Sequence, residues 1–329
     1  MSGAERSRFV SDNGEDDSVL PFAVEPLDVR GRLVRLGAEL DRVLAPHNYP
    51  SEIARLVGEA CALTTLLGTS LKFEGRFQLQ TKSDGIVDML VVDFDAPDKF
   101  RAMARFNGEA LEIARRAGAA TTRDLLGRGH LAFTIDQGSH QSRYQGVVPL
   151  EGQGLEEAAH QYFRQSEQIP TFVRLAVAEM FSGQDAQPHW RAGGLLVQFL
   201  PTSPERQRMR DFDPGDAPAG TPKQQFEEDE AWTEAHTLAA TVEDHELVDP
   251  MLSGERLLYR LYHERGVKVF ETLGVRHQCR CSRERIESML RRFTPQERTD
   301  MIGDDGLIGV TCEFCNVQRT FEPKEFDPQ

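Results

Sequence analysis

No stretch of this chain approaches the roughly 18 uninterrupted apolar residues that a bilayer-crossing helix needs, so no membrane span is expected. No apolar run follows a basic N-terminal start, so no secretory signal is read and a cytoplasmic location is expected. Positive charge is in short supply: 38 Lys and Arg stand against 53 Asp and Glu, a formal net charge of −15. That balance opposes non-specific binding to nucleic acid or to an anionic membrane surface. Cysteine is scarce too, at five residues, and only Cys61 precedes position 279. A secreted disulfide scaffold spreads its cysteines through the fold, and this chain does not.

What cysteine there is stands in two close pairs, Cys279-Arg-Cys281 and Cys312-Glu-Phe-Cys315. Brought together by a fold, they supply four thiolates to one ion and fill the tetrahedral shell that zinc prefers. A filled shell leaves no open position for water or substrate. The site therefore reads as structural or redox-active and not as a hydrolytic centre. The bland alternative is two buried reduced pairs, or two local disulfides. Cys61 falls on a strongly periodic helix and reads as a small buried hydrophobe.

The 329 residues suggest two or three domains. Residues 1–26 read as a disordered acidic tail. Residues 27–200 read as an α+β core domain: a mixed or antiparallel sheet with packed helices. Strand signals fall at 27–36, 76–82, 87–93, 100–106, 130–136, 143–150, 171–177 and 195–200, with helices at 37–44, 50–71 and 155–165. Residues 201–263 read as a linker, proline-rich to about 225 and then acidic. Between 226 and 249 there is no Lys or Arg. Yet Trp232, Ala235, Ala239 and Val242 form an apolar stripe there at helical spacing. Another helix is expected at 252–263. Residues 264–329 form a small C-terminal zinc-binding domain.

Other constellations weigh less. Ser139-His140 near Asp136 holds hydrolase residue types but reads as a hairpin turn. Gly193-Gly194 precedes a strand and fits neither a P-loop nor a dinucleotide fingerprint. Glu156, Glu157 and Glu167 are expected to face solvent. His277, two residues before Cys279, is a spare candidate ligand that four cysteines make unnecessary, or else a donor to a thiolate. The run of Arg280, Arg283, Arg285, Arg291 and Arg292 has no interleaved aromatic platform for nucleic acid, and cations beside thiolates lower their pKa.

At these residues the chain resembles the heat-shock protein 33 family, the redox-regulated bacterial holdases. The resemblance rests on Cys279-Arg-Cys281-Ser-Arg-Glu-Arg285 and Cys312-x-x-Cys315. In the first domain it rests on His47-Asn48-Tyr49-Pro50, Leu71-Lys72-Phe73-Glu74-Gly75, Tyr144-Gln145-Gly146-Val147-Val148 and Tyr162-Phe163-x-x-Ser166-Glu167-Gln168-x-Pro170. Gly193-Gly194-Leu195-Leu196 and Leu258-Tyr259-Arg260-Leu261-Tyr262-His263-Glu264 extend it. Asn316 stands where the family often has Gly, and Asn is the next most tolerant residue of a left-handed turn.

The resemblance implies an ATP-independent chaperone of the stress response, not an enzyme. Reduced, it holds one zinc per chain on Cys279, Cys281, Cys312 and Cys315 and is inactive. Oxidised, it forms disulfides, loses zinc, unfolds its C-terminal part and linker, forms a homodimer and binds unfolding client proteins. Close spacing suggests the pairs Cys279–Cys281 and Cys312–Cys315, the first of them strained and so easily reduced. Phe226, Trp232, Leu238 and Val242 of the linker are the expected client surface. The runners-up are a thiol–disulfide oxidoreductase and a nucleic-acid-binding zinc protein.

Overall fold

The computed structural model describes residues 16–70, 74–137, 143–181, 189–201 and 229–326. Its architecture is mixed α+β, organised around one long helix. That helix, α2 (Ser51–Ser70), is apolar on nearly every side. A helix of that kind needs a partner on each face, and α2 lies between two sheets, with Ile53, Leu56, Val57 and Leu63 fully buried.

The first sheet runs in the order β10 (Lys268–Val269), β1 (Ser18–Val24), β2 (Val29–Leu36), β9 (His189–Phe199), β8 (Thr171–Met180), and β11 (Leu273–Gly274) also pairs with β1. The second sheet runs β12 (Arg276–His277), β5 (Lys99–Phe106), β4 (Val87–Asp95), β3 (Arg76–Ser83), β6 (Arg128–Asp136), β7 (Tyr144–Glu151). Every pairing is antiparallel except β12 on β5. Helix α1 (Ala38–Leu44) leads towards α2, and α5 (Leu155–Tyr162) packs beside it.

The linker covers the far face of the first sheet. Helices α6 (Glu230–Ala239), α7 (Asp244–Val248) and α8 (Gly254–Tyr262) bury Trp232, Ala235, Leu247, Leu257 and Tyr262 against Phe22, Leu33, Leu195 and Val197. The single acidic helix expected over 226–249 is thus two helices broken near Thr241, and its stripe faces the sheet rather than water. The sheet side grips this segment by backbone. Buried Arg35 donates to the carbonyls of Glu246 and Leu252, and buried Arg191 to that of Val248.

Several expectations need correction. Ser18–Val24 is a strand at the heart of the first sheet and not part of an acidic tail. Its Val19, Phe22 and Val24 are buried, and neighbouring acids masked a short apolar run. Asn107-Gly108, a dipeptide that reads as a turn between strands, opens a helix, α3 (Gly108–Ala117), because the Asn107 side chain accepts from Ala110 N. A capping box of Thr121 and Asp124 opens α4 (Thr122–Leu126). Gly193 and Gly194 lie inside β9. Residues 268–277, expected in the C-terminal domain, instead return to pair with β1 and β5. The compact C-terminal module follows, with α9 (Arg283–Leu290), α10 (Pro295–Asp300) and the hairpin β13 (Ile308–Thr311) and β14 (Gln318–Phe321). Its core is small: Ile286, Leu290, Ile308, Phe321 and Phe326. Phe226, Ser139, His140 and the proline-rich stretch from residue 202 lie outside the described residues.

Candidate metal centre

The first cysteine pair is placed by β12. Arg276 N donates to Asp98 O and Gln278 N to Phe100 O, at 2.8 and 2.9 Å, so the chain leaves the second sheet in a fixed direction. Ser282 then caps α9 by accepting from Arg285 N. Cys279 and Cys281 sit between these two constraints. The second pair is placed by the β13–β14 turn. Cys312 N donates to Val317 O at 3.1 Å and Asn316 N to Cys312 O at 2.8 Å. Asn316 takes φ 53°, the left-handed conformation expected of it.

All four sulfurs lie within 4.8 Å of one another. The nearest approaches are Cys279 Sγ to Cys312 Sγ at 3.7 Å and Cys281 Sγ to Cys315 Sγ at 3.4 Å. A tetrahedral ion with metal–sulfur bonds of about 2.3 Å sets its ligand sulfurs about 3.8 Å apart. The donor set therefore fits one ion. Backbone amides reinforce the fit: Cys312 Sγ accepts from Phe314 and Cys315, Cys315 Sγ from Val317, and Cys279 Sγ from Cys281. Burial pushes the Cys312 and Cys315 thiols up. Cys279 is drawn down: burial opposes this, but the Cys281 amide and the neighbouring thiols outweigh it. Crowded thiolates repel, and a divalent cation among them compensates that charge.

The centre is docked on the first domain. Arg280, between the first two cysteines, reaches Asp93 and Asp95 of β4. Phe314, between the second two, lies under the Arg101 guanidinium at 3.7 Å. His47 Nε2 meets Phe314 O at 3.3 Å, and Asn316 Nδ2 donates to Pro46 O at 2.9 Å. The His47-Asn48-Tyr49-Pro50 stretch thus forms part of the docking face, braced by Tyr49, whose hydroxyl bonds the backbone of Ala104.

Other candidates resolve differently. His277 does not serve a thiolate: its backbone donates to Glu39, and its ring Nε2 is buried without a partner among the described residues. Three more arginines of the run turn to protein. Arg283 pairs with Glu325, Arg291 with Glu287, and Arg285 donates to Arg280 O. Glu156 faces inward and accepts from Leu175 N, while Glu167 accepts from Tyr162 and Tyr144. Beside Glu156, burial raises the carboxyl of Glu59 to about 8, so it is held neutral near pH 7. Cys61 is fully buried in α2, and burial pushes its thiol up. Cys61→Ala is expected to cost about 1 kcal/mol of stability and to leave metal content unchanged, by melting and metal analysis. Sequence reasoning missed Asp93 and Arg101, which carry no local motif.

Comparison with known proteins identifies the family. The model of the family described as Hsp33 protein matches residues 17–322. The 33 kDa chaperonin of Caulobacter vibrioides is 44% identical over 312 residues, covering 94% of this chain and 95% of the relative. That of Azotobacter vinelandii is 36% identical over 302 residues, covering 92% and 90%. Among solved structures, the 33 kDa chaperonin (heat shock protein 33 homolog) of Thermotoga maritima superposes with a TM-score of 0.70 at 18% identity. It covers 94% of this chain and 96% of that one. On a family match spanning both sheets, the linker helices and all four cysteines, the chain belongs to the Hsp33 family, a family of chaperones.

Proposed function

We propose that this chaperone is a redox-regulated, ATP-independent holdase of the cytoplasm, silenced by its own linker and metal module until its thiols are oxidised. The observation that carries this reading is the convergence of four sulfurs within 4.8 Å in a module docked on the domain whose sheet the linker covers. Zinc is the ion of choice for four thiolates, and bound there it supplies folding energy. Each cysteine pair, giving two electrons and two protons to an oxidant, becomes a disulfide and ceases to be a ligand. We assign the pairs as Cys279–Cys281 and Cys312–Cys315.

Unfolding of the module and linker then exposes Trp232, Leu238 and Val242, together with the sheet face beneath them, to unfolding clients. The same freed surface is available for homodimer formation. A four-sulfur shell leaves no open coordination position, which argues against a metal-dependent enzyme. Cys312 and Cys315 sit on a hairpin turn rather than at a helix start, which argues against a thioredoxin-like oxidoreductase. Arg280, Arg283, Arg285 and Arg291 are engaged by carboxylates and carbonyls, which argues against a nucleic-acid site.

The test compares suppression of aggregation by reduced, zinc-loaded protein and by peroxide-treated protein. Only the oxidised form is expected to protect a heat-unfolding client. Metal analysis should find one zinc per chain, lost in Cys281→Ser and in Cys315→Ser. Full retention in both variants sinks the four-sulfur assignment.

A further inference from the structure

Asp93 sits two residues from the end of β4 and is 1% exposed. Four donors converge on its carboxylate. Oδ2 accepts from Arg101 Nε and Nη2 at 2.9 and 2.7 Å, and from Arg280 Nη2 at 2.5 Å. Oδ1 accepts from Gln78 Nε2 at 2.7 Å. Arg280 also reaches Asp95 Oδ1 at 3.2 Å through Nη1. The side chains of Arg101 and Arg280 are mostly buried. Arg101, held in place by Asp93, lies over Phe314 at 3.7 Å.

The two docked residues have a specific origin. Arg280 is the residue between Cys279 and Cys281, and Phe314 lies between Cys312 and Cys315. Each is aimed outward only while its own cysteine pair faces the common centre. One buried carboxylate therefore grips the first pair directly and the second through Arg101. A carboxylate this buried has no water to turn to, so losing one guanidinium is costly, and that cost makes the contact all-or-none.

We infer that Asp93, with Arg101, is an internal latch that holds the metal module on the first domain and responds to the folded state of both cysteine pairs. The latch is a docking device distinct from the metal shell: it touches no sulfur, and undocking leaves all four ligands in the module. Its role in silencing rests on the holdase reading above, whereas the docking itself does not.

The experiment uses full-length reduced, zinc-loaded protein carrying Asp93→Asn, Arg280→Met, or both. Metal content and hydrogen exchange read by mass spectrometry are the primary measurements. Zinc is expected to remain at one per chain. Exchange at residues 276–278, whose amides bond Asp98, Glu39 and Phe100, is expected to quicken by about tenfold or more. Protection across residues 53–67 reports the first domain's own fold. Arg280→Met leaves that domain's sequence untouched, so it decides the question even if Asp93→Asn is unstable. The double variant should be no looser than the looser single variant.

Unchanged protection at 276–278 in both single variants overturns the latch. So does zinc loss accompanying undocking, which would make Asp93 a support of the metal shell. Additive loosening in the double variant overturns the pairing of the two residues. Aggregation suppression is read separately. An undocked, zinc-loaded variant that leaves clients to aggregate keeps the latch and refutes silencing by docking.

Discussion

Gly193→Val should turn the reduced, zinc-loaded protein into an active holdase without oxidant. Gly193 lies on the linker-facing side of β9, paired with Arg35 on one side and Ala176 on the other. A Cβ there would stand 2.3 Å from the Leu247 carbonyl oxygen and 2.7 Å from its carbonyl carbon. Backbone cannot rotate away as a side chain can. Overpacking of this kind costs about 1–3 kcal/mol even where neighbours adjust. Here relief is simple: α7 lifts, taking Leu247 from its buried site and pulling the Glu246, Val248 and Leu252 carbonyls from Arg35 and Arg191. The strand itself should be content, since valine suits a sheet better than glycine. Gly193→Ala should show a smaller version of the effect.

Gly194→Ala is the control. Its Cβ would point to the opposite face, against Leu66, Leu175 and Val34 side chains. It should lower first-domain stability without freeing the linker. Hydrogen exchange across 230–262 and aggregation suppression, with zinc content confirmed, decide the matter. A Gly193→Val protein whose linker stays protected, or whose freed linker brings no activity, removes the linker's cover from the mechanism.

These two glycines also show where sequence reading stops. Their place beside a strand, with no helix to follow, spoke against a phosphate loop, and the pair in fact lies within β9. The stronger signal was a glycine pair inside an apolar strand, which marks close approach of another backbone. What approaches could not be read, because Leu247 is distant in sequence. That the cysteine pairs would converge was legible because residues that share one ion stand in pairs at short local spacings. The long helix was legible because its apolar positions repeat within a few turns. The latch was not, since Asp93 and Arg280 stand 187 residues apart and each looks like an ordinary strand or surface charge. The strand at 18–24 was hidden for a different reason. It is seven residues long with a proline inside, and it is stabilised on both edges by partners from elsewhere in the chain. Local order came through; pairings between distant segments did not.

Oxidation, or removal of the ion by a chelator, should unfold the C-terminal module and leave the two sheets standing. Magnitudes decide this. Structural zinc contributes roughly 10–16 kcal/mol in small zinc-finger peptides. A module this small rarely draws more than about 3–5 kcal/mol from its own core, and the core here is five buried residues. On the proposed reading the metal is the main support, and its loss should exceed what the rest can offset. The linker should loosen next. Its helices are short, and their apolar side chains are buried by docking on the sheet. Residues 268–277, which return to β1 and β5, form the mechanical connection between module and sheets. Around α2 the core closes without either segment, so protection there should persist. Hydrogen exchange before and after peroxide at mild heat should show protection lost over 283–326, then over 230–262, and retained at 53–67 and 87–95. Simultaneous loss across 53–67 would mean that the first domain depends on the module for its fold. Retained protection over 283–326 after complete zinc loss would mean that the small core suffices, and the proposed switch would have no means of opening.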